Sequence, residues 1–419
     1  MELSNNDRQT LRVLAEEIAD IASLPYQKNQ IRLWKNLNAL KPERPLVMID
    51  QLPWNELEAD NTELIPQCTE EFLRTVEREM RRLLYQWKNF KADMVVEPYW
   101  PLTKVVDGDP YNTFPGFEIC ETTIGTDLTS EVMSHRYNDQ IKTWDDIEKI
   151  GIPKLSLNEA LTKEREDILE QAFGDILPLK IIGHTIAFRV WDELATLRGV
   201  TNILYDLAER PDFLHAIMKK ATSNILSIKD QLTELGAHGY AQSVIHCSGA
   251  FIEDLPSPDF SPAKPSPKDS WTCGQAQLFS SVSPDMHYEF DIQYANRFYK
   301  DYGHVYYGCC EPLDYKMDVV KHVNNLRKIS ISPWASAERA AEQIEDRFVY
   351  SAKPNPSMLA WNSFEIDSVK EEIRHIIKIC KANGTSVEFI LKDVSTVKYE
   401  SSRIRQWEQA VMQIVQDNI

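Results

Sequence analysis

The chain predicts an α/β fold, a (β/α)8 TIM barrel with an N-terminal helical extension and inserted loops. Three observations predict it. Eight short apolar runs alternate with helical stretches along 419 residues, which is the pattern of a closed parallel barrel. Several of these runs end on carboxylates, thiols or histidines, and parallel α/β proteins place their chemistry at such strand ends. No GxGxxG follows a strand and no GxxxxGK[ST] occurs, so an open doubly wound sheet, the other arrangement the alternation allows, lacks its phosphate cradle.

The elements follow in order. Leu11, Leu14, Ile18 and Ile21, then Ile31, Leu33, Trp34 and Leu37, recur at helical spacing. Residues 1–40 are therefore read as a helical segment packing on a barrel formed by residues 41–419. Leu46 to Asp50 is a buried strand between Pro42 and Pro53. Phe72, Val76, Met80, Leu84 and Trp87 form one stripe of a long helix. Asp93 to Glu97 is the second expected strand and Leu177 to Gly183, ending at His184, the third. Tyr240 to His246 is the fourth, with Trp271 to Phe279 competing for that place. His304 to Gly308, Lys328 to Ser332, Arg347 to Ser351 and Val387 to Leu391 complete the eight. A helix over 368–382 is closed by Asn383-Gly384. Two insertions stand out. One is Pro98 to Thr143, with Glu118, Glu121 and Asp127; the other is Gly249 to Ser270, whose five prolines forbid regular structure.

Composition narrows the function. A net charge of −18 argues against nucleic acid and anionic membranes as partners. The polar amino terminus lacks a signal-peptide pattern, and no apolar run is long enough for a membrane span. Seven cysteines without framework spacing fit a reducing compartment. The expectation is a soluble, cytoplasmic protein with a small-molecule substrate, compatible with a homodimer.

The fifth run ends in Cys309-Cys310-Glu311-Pro312. Adjacent cysteines rarely bond to each other, because the geometry is strained. They are either buried thiols or soft metal ligands. Glu311 is a candidate general base or ligand, or a rim ion pair. His184 and His246 each end a run and are catalytic or ligand candidates, or satisfied core residues. Lys353 and Asn355, in the rigid turn Lys353-Pro354-Asn355-Pro356, are substrate-binding candidates, as are Asp50, Glu97, Gln277, Trp334 and Lys392. Gln275 and Gln277 would share one face of a strand at period two. Alternation allows only one of Lys392 and Asp393, and only one of His246 and Cys247, to face a pocket.

Larger segments resemble a known family. Leu177-Pro178-Leu179-Lys180-Ile181-Ile182-Gly183 and the helix after Phe188 look like the third barrel unit of the uroporphyrinogen decarboxylase superfamily. The helix Thr201 to Ala208 with Arg210-Pro211-Asp212-Phe213 is similar to its "Asp-Pro-Glu" helix pair. Ser283-Pro284-Asp285-Met286 resembles its "Ser-Pro-Glu-x-Phe" turn. The resemblance runs from about Pro45 to Ile414.

The superfamily implies either metal-free decarboxylation of a porphyrinogen or zinc-dependent methyl transfer with a corrinoid protein. The decarboxylase motif after strand one carries arginine; here it reads Asp50-Gln51-Leu52-Pro53-Trp54. The methyltransferase branch has His-x-Cys after strand five and Cys after strand eight. Here Tyr307 replaces the His, Cys309 matches the first Cys, and Lys392 to Val397 contains none. Zinc would then need Cys309 with Cys310, Glu311 or His246. The resemblance implies a methyltransferase-like enzyme moving a methyl group between a small O- or N-methylated substrate and a corrinoid protein. Its cobalamin would arrive on that separate partner. A cofactor-free decarboxylase or lyase of a small carboxylate, and a non-catalytic binding barrel, remain the alternatives.

Overall fold

Apolar, β-branched and aromatic runs bury both faces of a parallel sheet, and that is what the strand segments do here. The computed structural model describes residues 2–59, 61–124 and 134–418; Asp127, from the first insertion, lies outside them. The main strands are β1 (Leu46–Ile49), β2 (Trp100–Thr103), β3 (Leu179–Ile182), β4 (Trp271–Gly274), β5 (His304–Tyr307), β6 (Leu326–Ile331), β7 (Val349–Ala352) and β8 (Ser386–Leu391). Every residue of β1, β4, β5, β7 and β8 is buried.

Six strands form one curled parallel sheet in the order β1-β8-β7-β6-β5-β4. Leu46 stands opposite Glu388 and Trp271 opposite His304. β2 and β3 form a separate parallel pair. Past β3 the chain touches His238 through His184 and Gly274 through Phe188, as isolated parallel bridges. Among the described residues the strand ladder does not run continuously around eight strands, so the observed architecture is a curled six-stranded half-barrel plus a pair.

Two expected strands are corrected. Asp93 to Glu97 forms no ladder: Asp93 lies in a turn, and the donors of the segment are taken singly. Asp93 N bonds Val47 O, Met94 N bonds Lys91 O, and Val96 N is taken by the Gln27 side chain. The second strand forms downstream of Pro98 instead. Tyr240 to His246 is broken by positive φ at Ala241 and His246. Val244–Ile245 folds back antiparallel on Ser248–Gly249, with His246 and Cys247 at the turn. The competing run, Trp271–Gly274, takes its place in the sheet.

The helices follow their stripes. α1 (Asn5–Ser23) is capped by Ser4, whose hydroxyl accepts from Asp7 N at 3.0 Å. α2 (Pro25–Asn38) starts on its proline. Leu11, Leu14 and Trp34 share a buried cluster with Leu46 and Met48 of β1 and with Met80 of α3 (Glu71–Phe90). The N-terminal helices thus pack directly on the sheet unit. Trp34 donates to Asp93 O at 2.8 Å, and Asn38 donates to Gly249 O and Phe251 O. α4 (Val190–Arg198), α5 (Pro211–Glu234), α6 (Ile366–Ala382) and α7 (Ser402–Gln416) cover the outer faces. No helix among the described residues is long and apolar enough to cross a membrane.

Candidate active site

β5 ends at Tyr307, and Gly308, at φ +93°, turns the chain so that Cys309 points back under the rim. A Cβ at Gly308 would lie 2.6 Å from Leu313 Cδ1, so a side chain has neither the space nor the backbone for this turn. Cys309 is buried and Cys310 exposed. Their sulfurs are 3.6 Å apart and unbonded, and Cys310 also lies 3.4 Å from Asp393 Oδ2.

β8 supplies the cation. Lys392 Nζ donates to Cys309 Sγ at 3.1 Å and pairs with Asp393 Oδ2 at 3.2 Å. Both neighbours reach the site because Asp393 has φ +56°, which cancels the strand alternation that would have sent them to opposite faces. The same correction applies to His246 and Cys247. The turn residues sit at φ +45° and +66°, and both face this region.

The electrostatics favour a thiolate. Cys309 is held well below the usual thiol range, first by the Cys310 thiol and then by His246 and Lys392, against the opposing effect of burial. Cys310 is pushed up by the charge on Cys309 beside it and by burial. Burial opposes charge on His246, but the Cys273 and Cys309 sulfurs outweigh it and hold the imidazole at about 9. His246 Nε2 is buried without a hydrogen-bond partner of ordinary geometry, so this coupling is one of proximity and charge. Both directions favour a charged His246 beside a charged Cys309.

Lys353 is buried behind this group. It bonds the Tyr306 hydroxyl and, at 2.9 Å, Ser351 Oγ. Burial pushes it down to about 8, with Glu388 pulling the other way. Asp50 lies against Cys247, which in turn feels Lys392 and Lys353.

The remaining candidates are held elsewhere. Glu311 is fully buried and folded back, accepting from Cys309 N at 3.0 Å and Ala276 N at 3.2 Å. Burial pushes its carboxyl up to about 7. It props the Cys309 backbone against the end of β4. His184 uses both ring nitrogens: Nε2 meets Lys104 O at 2.9 Å and Nδ1 meets the Tyr111 hydroxyl at 3.0 Å. A carbonyl only accepts, so Nε2 carries the proton and Nδ1 accepts. Gln275 and Gln277 lie beyond the end of β4, not on a strand, and both donate to Asp192 Oδ2. Asn355 accepts from Ser357 N at 3.0 Å as a turn cap. Trp334 is 72% exposed. Glu97 lines a different cavity, of about 470 Å³, whose walls do not include Cys309.

The sequence reading missed Cys273. Cys273 sits inside the run Trp271–Gly274, and only the folding-back of His246 brings it into the group.

Among the described residues, no three His, Cys, Asp or Glu side chains are grouped so as to hold a metal ion. Cys309, Cys310 and His246, the expected ligands, are not gathered into such a group. Lys392 already occupies the Cys309 sulfur as a donor.

No protein-family model matches the chain, and no curated protein sequence matches it. Among solved structures, it is similar to a methyltransferase from Methanosarcina mazei, with a TM-score of 0.50 at 12% identity, over 91% of this chain and 98% of that one. At that identity the similarity is one of fold alone.

Proposed function

We propose that the protein is a methyl-transfer enzyme with a uroporphyrinogen decarboxylase-like (β/α)8 barrel, in which the Cys309 thiolate is the reacting group. The observation that carries this reading is the buried thiolate held by Lys392 at 3.1 Å, with the protonated His246 beside it. A thiolate is the nucleophilic form of cysteine, and fixed cations keep it ionised at neutral pH. The fold shared with a methyltransferase agrees with it.

The chemistry balances without a metal step. Cys309 Sγ attacks the methyl carbon of a small O- or N-methylated donor. The C–S bond forms as the bond from carbon to the heteroatom breaks, and the electron pair leaves with the heteroatom. Alkoxide and amide are poor leaving groups, so a proton must arrive. Once Cys309 is neutral, His246 loses the charge that held its proton and can supply it. The methyl group then passes to a corrinoid protein docking at the rim that carries Cys310 and Asp393, and the thiolate is regenerated.

Methylcobalamin tests the half-reaction in reverse. Wild type should demethylate it, followed by visible absorbance, and peptide mass spectrometry should find one added methyl group on Cys309. Cys309→Ala should lose both signals. Equal consumption by Cys309→Ala removes the thiolate role, and no consumption by wild type removes the corrinoid. A cofactor-free decarboxylase is the second reading, because two buried lysines, Lys353 and Lys392, lie within electrostatic reach of Cys309. Release of CO2 from a small carboxylate that survives Cys309→Ala but not Lys353→Met would favour it.

A further inference from the structure

A cavity of about 470 Å³ lies beside β2 and β3, and the thiolate chemistry does not use it. Its size falls in the range of small-molecule sites. Val95, Trp100, Ile182 and Leu83 give it apolar walls, and its lining carries one ammonium, Lys180, and two carboxylates, Glu97 and the exposed Glu79.

These charges are arranged, not scattered. Lys180 Nζ donates to the Tyr99 hydroxyl at 3.0 Å and lies over the Tyr99 and Tyr240 rings at 4.4 and 5.9 Å. The Tyr99 phenol also feels the charge of Glu97 beside it, and Ser243 Oγ donates to Glu97 Oε2. Burial, with Glu97 beside it, pushes the Tyr99 phenol up, so it stays a neutral donor. Among the described residues neither Lys180 nor Glu97 forms an ion pair. Lys180 keeps two N–H donors and Glu97 keeps free lone pairs.

Three constraints follow. Lys180 and Glu97 stand as an opposite pair beside Tyr99, while Glu79 is exposed to solvent, so a guest with a single charge leaves one member of that pair unmatched. The aromatic faces already hold an ammonium, which disfavours a purely cationic guest. Both charges lie beside one phenol, Lys180 hydrogen-bonded to it and Glu97 close enough to act on it through charge, so only a short span separates them. A guest that meets both must carry its own opposite charges about one carbon apart, with an apolar body for the walls. We infer that this cavity binds an α-amino acid with a large apolar side chain, its carboxylate on Lys180 and its ammonium on Glu97.

Isothermal titration calorimetry on the full chain tests this with L-phenylalanine. Saturable binding is expected. 3-Phenylpropionate, which lacks the ammonium, and phenethylamine, which lacks the carboxylate, should each bind at least about tenfold more weakly. Lys180→Met and Glu97→Gln should each weaken phenylalanine by a similar factor while the circular-dichroism melt stays in place. Tyr99→Phe, which keeps the ring but frees both charges, gives a second reading if either variant unfolds, and should also weaken binding. No binding by L-phenylalanine overturns the inference. So does equal binding of either single-charge analogue, or an affinity unchanged in all three variants.

Discussion

Lys328 and Lys392 both bury an ammonium beside the six-stranded sheet, yet their surroundings differ. Lys328, on β6, donates to Glu388 Oε2 at 2.8 Å, Ser248 Oγ at 2.6 Å and Gly249 O at 3.0 Å. Its three N–H groups all have acceptors, and neither Lys328 nor Glu388 has any exposed side-chain surface. Lys392, after β8, has a sulfur and a carboxylate that is 46% exposed. A buried charge whose valences are all met holds two segments together, here the hairpin after Ile245 and the sheet. A buried charge whose partners are reactive and open to solvent on one side is placed for chemistry.

The largest expected effect attacks the sealed pair. Glu388→Gln or Lys328→Met leaves one uncompensated buried charge and should cost about 3–5 kcal/mol in urea unfolding. Lys392→Met should cost less, about 1 kcal/mol, because Asp393 is 46% exposed and the Cys309 thiol left behind can take up a proton. Equal losses would erase the distinction between the two lysines.

The next effect concerns the prop beneath the thiolate. Burial raises the Glu311 carboxyl from 4.5 to about 7. Between those values the folded chain holds a proton that the unfolded chain has released. Glu311 therefore lowers stability as pH rises from about 4.5 through 7, by up to about 3 kcal/mol. Glu311→Gln should remove that slope, read as the difference between unfolding curves of variant and wild type at pH 5 and pH 8. A difference that does not change with pH would show that Glu311 does not titrate in this window.

The smallest effect sharpens the open side. Cys310 is solvent-exposed, yet the charge on Cys309 keeps it protonated. In Cys309→Ala that charge is gone, so Cys310 should react with iodoacetamide about tenfold faster at neutral pH, located by peptide mass spectrometry. Unchanged or slower labelling would mean that Cys309 carries no negative charge in wild type.

Long periodic stretches were legible in the sequence. The stripes of α1, α2 and α3, and the strands β1, β3, β5, β6, β7 and β8, lie where apolar period and breakers put them. Asp93 to Glu97 misled because its composition is that of a strand, while its donors are drawn off by Gln27, Val47 and Lys91. Tyr240 to His246 misled because nothing in its residue types announces the positive φ at Ala241 and His246. Among the site residues, Cys309, Lys392, Lys353 and His246 do gather at one end. Glu97 lines another cavity, and His184 has both nitrogens engaged.

By itself, the sequence determined that this is an α/β chain with a thiol pair at the end of a buried strand, because side-chain period and strand-end chemistry are local properties. Only the tertiary structure decided which groups meet. Cys309 lies 83 positions from Lys392 in the chain, and its thiol is held below the usual range by Cys310 and then by the His246 and Lys392 that converge on it. Lys180 and Glu97, 83 positions apart by their numbers, become a charge couple through one phenol. Ionisation and binding depend on distances of about 3 Å, and no local pattern in the sequence encodes those.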